Sequence, residues 1–246
     1  MRINYKLKRL FIKQPLFLDK EIKIEGAQAS YLVRVLRMQE GDEILLFNGQ
    51  DGEWLAKLIV VKKKFVVVQL ICQERLQTAY SDIIYCFAPL KSARLDYMVQ
   101  KAVEMGVSVL QPVVTHHTQV TRINMDRMKA NVVEASEQCG ILSLPECIAS
   151  VSLVELLARW DKRRTLFFCD EGHKSYNPLP VLKKHEVSAL GILIGPEGGF
   201  SEEERDLLKK YSFVIPISLG PRVLRADTAA VAALALLNAI GGNWVN

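Results

Sequence analysis

The stretch Ile192-Leu193-Ile194-Gly195-Pro196-Glu197-Gly198-Gly199-Phe200-Ser201, followed by Glu202, Glu203 and Glu204, leaves this chain few ways to fold. Ala189 to Ile194 is a short apolar run bounded by turn residues, which suits a strand buried on both faces of a parallel sheet. Ser201 and Glu204 are spaced as a capping box that opens a helix. Between them, Gly195, Gly198 and Gly199 permit positive φ and carry no Cβ to keep a ligand from the backbone. Turns at the carboxyl ends of strands are where open α/β sheets bind ligands. The turn lacks both phosphate-loop spacings, and its acids would repel phosphate from the helix N-terminus. A neutral or cationic small molecule is therefore the expected ligand. The plainer alternative is a tight structural turn whose acids suit the helix dipole.

A second turn of the same kind, Leu219-Gly220-Pro221-Arg222-Val223-Leu224-Arg225-Ala226-Asp227-Thr228, follows the apolar run Phe213 to Ile217. A long apolar helix, Ala229 to Ile240, comes after it. Upstream, Ile83 to Ala88 reads as strand and Ser92 to Met105 as helix, with Leu95, Met98, Val99 and Ala102 on one face. Strand Val107 to Val114, a helix through Met125, Met128, Val132 and Cys139, helix Leu153 to Trp160 and strand Thr165 to Cys169 continue the alternation. Such alternation predicts an α/β fold with a parallel sheet covered by helices on both faces.

The first third has a different grammar. Glu43 to Asn48, Glu53 to Val61 and Phe65 to Cys72 are β-branched runs separated by turn residues, which predicts a meander closing into a small barrel. Residues 74–82 are polar and read as a linker, dividing the chain into 1–73 and 83–246. Residues 1–73 hold thirteen Lys or Arg against eight Asp or Glu, whereas 74–246 hold nineteen of each, so the whole net charge of +5 sits in the first part. That is the footprint of a module that holds nucleic acid beside a neutral site; a merely soluble basic surface is the alternative.

The five cysteines, Cys72, Cys86, Cys139, Cys147 and Cys169, are odd in number and unpaired in spacing, as expected of reduced, mostly buried thiols in a cytosolic protein. His116 and His117 are adjacent while His173 and His185 stand alone, so no metal site is expected. The chain opens with mixed charge rather than an apolar core, and no signal peptide is expected. Its most apolar stretch, Thr228 to Ile240, falls short of the roughly twenty residues a membrane span needs.

The GPEGGFSEEE turn followed by LGPRVLRADTAA resembles the bacterial 16S ribosomal RNA (uracil-N3)-methyltransferase family, of the knotted SPOUT methyltransferase class. The likeness covers nearly the whole chain. Val33-Arg34-Val35-Leu36-Arg37, Gly41-Asp42 and Phe47-Asn48-Gly49 are similar to the family's N-terminal signature. Gln100 to Val107 and Glu134 to Gly140 resemble its two central helices. The chain departs from the pattern at Ile141, where an arginine is usual, at Ala226-Asp227-Thr228 in place of Thr-Glu-Thr, and at Tyr31 in place of a histidine.

The resemblance implies a PUA-like barrel before a SPOUT domain with a C-terminal trefoil knot, which would bring the turns after Cys169, Ile194 and Ile217 around one ligand. It also implies a homodimer, S-adenosylmethionine as methyl donor and a uridine of 16S ribosomal RNA in the small subunit as acceptor. The cofactor residues so indicated are Leu193, Gly195, Pro196, Glu197, Gly198, Gly199, Leu219, Gly220 and Leu224. Methylating uracil N3 requires an imide proton to leave and an unpaired base. Glu197 is a candidate base, and Arg222 and Arg225 are candidates to stabilise the uracil anion or grip phosphate. Asp227 and Thr228 read more simply as helix N-caps. For RNA contact the candidates are Arg2, Arg9, Arg34, Arg37 and Arg94, with Arg2, Lys6, Lys8 and Arg9 forming a basic arm that orders on RNA. Two other readings stay open: a knotted methyltransferase acting on ribose 2′-oxygen or transfer RNA, and a non-catalytic ribosome-assembly factor.

Overall fold

In the computed structural model, residues 6–78, 81–172, 177–185, 189–242 and 244 are described. The chain forms two compact units, Met1–Ala79 with Val133–Leu144, and Tyr80–Val132 with Pro145–Asn246. The first contains β1 (Arg9–Phe11), β2 (Glu21–Glu25), α1 (Gly26–Ser30), a π-helical turn (Tyr31–Val35), β3 (Glu43–Phe47), β4 (Glu53–Val61) and β5 (Phe65–Arg75). Strand β5 thus runs on through Arg75, past the start of the polar stretch expected as linker.

Burial alternates along β2 and β5, so Ile22, Ile24, Val66, Val68 and Leu70 point to one core with Leu32, Ile44 and Leu46. The five strands run in the order β1-β3-β4-β5-β2, and β1 pairs with β3 in parallel while the other pairs are antiparallel. Among the described residues the expected barrel takes the form of a half-barrel sheet that begins at β1 and ends at β2. Helix α1 follows β2, and Gln28 Nε2 donates to Phe11 O of β1 at 2.8 Å, linking the two ends of the sheet.

Arg9 is a second correction. Its guanidinium is buried rather than offered to RNA: Nε donates to Glu53 Oε1 at 2.5 Å, and the plane lies 4.4 Å over the Phe47 ring. Its remaining N–H groups reach the carbonyls of Ser136, Glu137 and Ile141. These carbonyls belong to the end of α3 (Met125–Cys139) and the turn after it, where a helix leaves acceptors to be satisfied from outside; Ser136 O also accepts from Ile141 N–H at 3.1 Å. Arg75 shares the work, donating to both Glu53 oxygens and to Gly140 O.

The second unit begins with β6 (Ile83–Phe87), α2 (Ser92–Glu104), β7 (Val109–Val114) and the first part of α3. It continues through β8 (Glu146–Cys147), β9 (Val151–Ser152), α4 (Leu153–Arg159), β10 (Thr165–Cys169) and α5 (Leu179–Lys184). The last elements are β11 (Leu190–Ile194), α6 (Glu202–Lys209), β12 (Val214–Ile217) and α7 (Ala226–Gly241). The parallel sheet has the order β12-β10-β11-β6-β7-β8, with β9 also pairing to β7. Every residue of the central β11 is buried, as its unbroken apolar run predicts. Gly191 within it has a role periodicity could not reveal, since a Cβ there would stand 2.5 Å from the Trp160 ring.

Of the cysteines only Cys86 is buried; Cys147 and Cys169 are partly covered, and Cys72 and Cys139 are exposed. The expectation of mostly buried thiols is corrected accordingly. No helix among the described residues is long and apolar enough to cross a membrane.

Candidate active site

Because the strands are parallel, the loops that follow β10, β11 and β12 leave the sheet at one edge, and they enclose a cleft. It measures about 880 Å³ counting open solvent at its mouth. The loop after β10 contributes Cys169, Asp170 and Glu171; the Gly-Pro-Glu turn after β11 contributes Ile194 to Glu197, Gly199 and Phe200; the loop after β12 contributes Ser218 to Leu224. Ala226 and Ala229 of α7 form the remaining apolar wall. Ser201 caps α6 as its spacing predicts: its hydroxyl accepts from Glu204 N–H at 3.2 Å, and the Glu204 carboxylate accepts from Ser201 N–H at 3.0 Å.

Of the residues expected around the cofactor, Gly195, Pro196, Glu197, Gly199, Leu219, Gly220 and Leu224 line this cleft, as does Arg222. Two do not. Leu193 is fully buried in the core under β11, because alternate strand residues face opposite sides of the sheet. Gly198 faces away from the cleft, and a Cβ on it would stand 3.1 Å from His117 Cβ. The other glycines of the turn also make room for the protein's own side chains. A Cβ on Gly195 would meet the Phe200 ring at 2.8 Å, and one on Gly199, at φ 68°, would meet Glu171 Oε1 at 2.3 Å.

Arg225 lies outside the cleft lining, exposed and 3.7 Å from Asp227. Asp227 and Thr228 are not N-caps: Arg225 holds that position and no side chain caps it. Asp227 instead accepts from Thr228 N–H at 2.9 Å inside the first turn, where an acid suits the helix dipole. Arg34 is exposed on the π-helical turn and Arg37 is exposed in a left-handed conformation at φ 55°, both in the first unit. Arg2 lies outside the described residues.

An acidic group in the cleft escaped the sequence reading. Asp170 is buried, accepts from Gly172 N–H at 3.0 Å, and stands 3.2 Å from Arg205 Nε. That nitrogen is not aligned for a hydrogen bond, so the contact is ionic rather than directional. Arg205 also lies 3.3 Å from Glu171. The signal was legible: an apolar strand followed by Asp170-Glu171-Gly172 repeats the strand-then-turn pattern of the other two loops.

A smaller cleft of about 380 Å³, again counting open solvent, opens on the far side of the Pro196-Glu197 turn. Its walls are Pro89 to Lys91 and Arg94 from the start of α2, His117, Gln119 and Val120 after β7, and Pro196 to Gly198. Arg94 donates to the Glu197 carboxylate across it. Among the described residues no group of three or more His, Cys, Asp or Glu could hold a metal ion.

A parallel α/β sheet with a ligand cleft at its carboxyl edge, in a chain with a separate small β unit, is an arrangement found in enzymes that modify RNA. The chain belongs to the RNA methyltransferase family, matching its RNA methyltransferase domain over residues 77–238 and its PUA domain over residues 24–71. Within that family it is similar to Ribosomal RNA small subunit methyltransferase E of Rickettsia conorii, at 30% identity over 97% of this chain and 98% of the relative. A solved structure of the Legionella pneumophila protein Lpg2936, in complex with the cofactor SAM, is 30% identical with a TM-score of 0.84, covering 96% of this chain and 99% of that one. The fold is shared with Ribosomal RNA small subunit methyltransferase E of Neisseria gonorrhoeae, solved bound to S-adenosyl methionine. The TM-score is 0.88 at 23% identity, covering 97% of this chain and all of that one.

Proposed function

We propose that this chain transfers the methyl group of S-adenosylmethionine to N3 of a uridine in 16S ribosomal RNA within the small ribosomal subunit. The observation that carries the reading is the cleft at the ends of β10, β11 and β12, in a chain that matches a ribosomal RNA methyltransferase over 97% of its length. The residues present fit the cofactor. Asp170 and Glu171 suit a cationic ligand, while Ile194, Phe200, Leu219 and Leu224 offer apolar surface for an adenine. At Gly220, φ 112°, an added Cβ would meet nothing within 4 Å, leaving bare backbone at the rim.

When bound, S-adenosylmethionine supplies an electrophilic methyl on a sulfonium sulfur. The protein's work is positional: to hold N3 of an unpaired base in line with that methyl and to manage the imide proton. We assign Gly195, Pro196, Gly199, Leu219, Gly220 and Leu224 to the cofactor, Arg222 and Arg225 to phosphate or developing negative charge, and Arg34, Arg37 and Arg94 to RNA. Glu197, held by Arg94, fixes the turn between the two clefts. The reading includes a cytoplasmic homodimer with the C-terminal chain knotted. Val231, Ala232, Ala235 and Leu236 support the dimer as an apolar face of α7 left only half-buried.

Calorimetric titration tests the cofactor assignment. The intact chain is expected to bind S-adenosylmethionine saturably, and Leu224→Arg, which fills the cleft, to abolish binding with the fold retained. A native chain that does not bind contradicts the reading.

A further inference from the structure

The chain leaves β6 toward β7 on one side of the sheet and leaves β11 toward β12 on the other, yet β6 and β11 are paired neighbours. The carboxyl edge between them is therefore a topological switch point, where open α/β sheets leave a crevice for a ligand. The smaller cleft lies there, walled by the loops after β6, β7 and β11. It shares Pro196 and Glu197 with the larger cleft, so ligands in the two would meet across a single turn. It is the smaller of the two clefts and lies open to solvent at its mouth, where a flat base could enter beside the larger one.

His117 is the side chain in this crevice suited to move a proton. Its Nδ1 lies 3.2 Å from Gly199 O. A carbonyl only accepts, so Nδ1 carries the hydrogen, and of the two neutral tautomers this bond selects the one whose Nε2 is a lone pair. The missing Cβ of Gly198 gives the ring its place, with only 3.1 Å to His117 Cβ. Charges near the ring come from every surrounding loop: Lys91 and Arg94 at the start of α2, Glu197 in the shared turn, and Glu204 of α6, whose carboxylate accepts from His116 N–H at 2.7 Å. The His116 ring packs edge-on against that of His117. Glu197, the acid expected as base, is engaged by Arg94.

We infer that the smaller cleft receives the acceptor base and that His117 Nε2 accepts its imide proton, an assignment that rests on the methyltransferase reading above. The N3–H proton passes to Nε2, and the N3 electron pair forms the new bond to the methyl carbon. The methyl's bond to sulfur breaks with its electrons returning to sulfur, so the sulfonium donor leaves as a neutral thioether. The imidazolium then releases its proton to water.

His117→Asn tests this, because the Asn amide N–H can replace Nδ1–H toward Gly199 O while no acceptor replaces Nε2. Methyl transfer to small ribosomal subunits lacking the modification is measured for the intact wild-type and variant chains, with kcat and KM for the subunits separated and cofactor affinity and melting temperature alongside. The expected result is a fall in kcat of about 10²-fold or more with cofactor affinity and melting unchanged. An active wild type with an equally active variant overturns the inference and leaves the methyltransferase reading intact. A wild type that binds cofactor but transfers no methyl overturns both.

Discussion

Arg94 and Glu197, distant in sequence, are joined by an ion pair that ties the first turn of α2 to the glycine-rich turn after β11, with side chains 43% and 49% exposed. At that exposure the pair contributes little to stability, about 0.2–1 kcal/mol. Its consequence lies in position, since Glu197 stands in the wall between both clefts. Arg94→Ala is therefore expected to change the unfolding free energy by less than about 1 kcal/mol while lowering methyl transfer by more than tenfold. Denaturant titration beside an activity assay checks the separation. A large stability loss matching the activity loss would show a structural role alone.

The glycines of the turn make a graded set. Gly195→Ala drives a methyl into the buried Phe200 ring and is expected to cost about 1–3 kcal/mol. Gly198→Ala meets His117 Cβ at 3.1 Å, a contact that an exposed loop relieves by small shifts, and is expected to cost least. Gly220→Ala has open space but a φ of 112° and is expected to cost about 1 kcal/mol through the backbone alone. Melting temperatures that rank the three otherwise contradict these packing assignments.

How much of this was legible varies by element. The boundaries of β4 and β10 follow from their apolar runs, ended by turn residues or charge, and α3 follows from the helical spacing of Met125, Met128, Val132 and Cys139. Strand β1 was not legible: it has three residues, begins with an arginine, and is defined by pairing with β3 and by Glu53, forty-four positions away. A basic residue among basic residues reads as surface until its buried partner is known. The turn glycines were legible as tight backbone, but whether a missing Cβ spares a ligand or Phe200 depends on which side chain folds back over the turn.

The Arg9–Glu53–Arg75 cluster makes the first unit acid-sensitive. Burial pushes the Glu53 carboxyl up, but the hydrogen bonds from Arg75 and Arg9 outweigh it and hold the group below its ordinary 4.5. A carboxyl depressed on folding adds stability above its unfolded value, and that contribution is lost as pH falls through the folded value. Glu137 works in the opposite sense, its carboxyl raised by burial, so only a comparison with a Glu53 variant isolates Glu53. Glu53→Gln leaves Arg9 buried without its counter-charge and is expected to cost about 3–5 kcal/mol at pH 7, a difference that narrows below pH 4.5. Unfolding curves at pH 7 and pH 4 measure it, and a gap that does not narrow contradicts the assignment.

Tyr85, fully buried on β6, has a hydroxyl without a hydrogen-bond partner among the described residues. Removing a buried donor that makes no bond relieves a desolvation cost. Tyr85→Phe is expected to leave stability unchanged or raise it by up to about 1 kcal/mol, read as melting temperature. A destabilised variant would mean that the hydroxyl has an ordered partner such as a water.

The most direct test of the central claim is transfer of labelled methyl from S-adenosylmethionine to small ribosomal subunits that lack the modification, followed by digestion to nucleosides. The account predicts label in 3-methyluridine. Label in a ribose-methylated or other nucleoside, or no label from a protein that binds the cofactor, would contradict it.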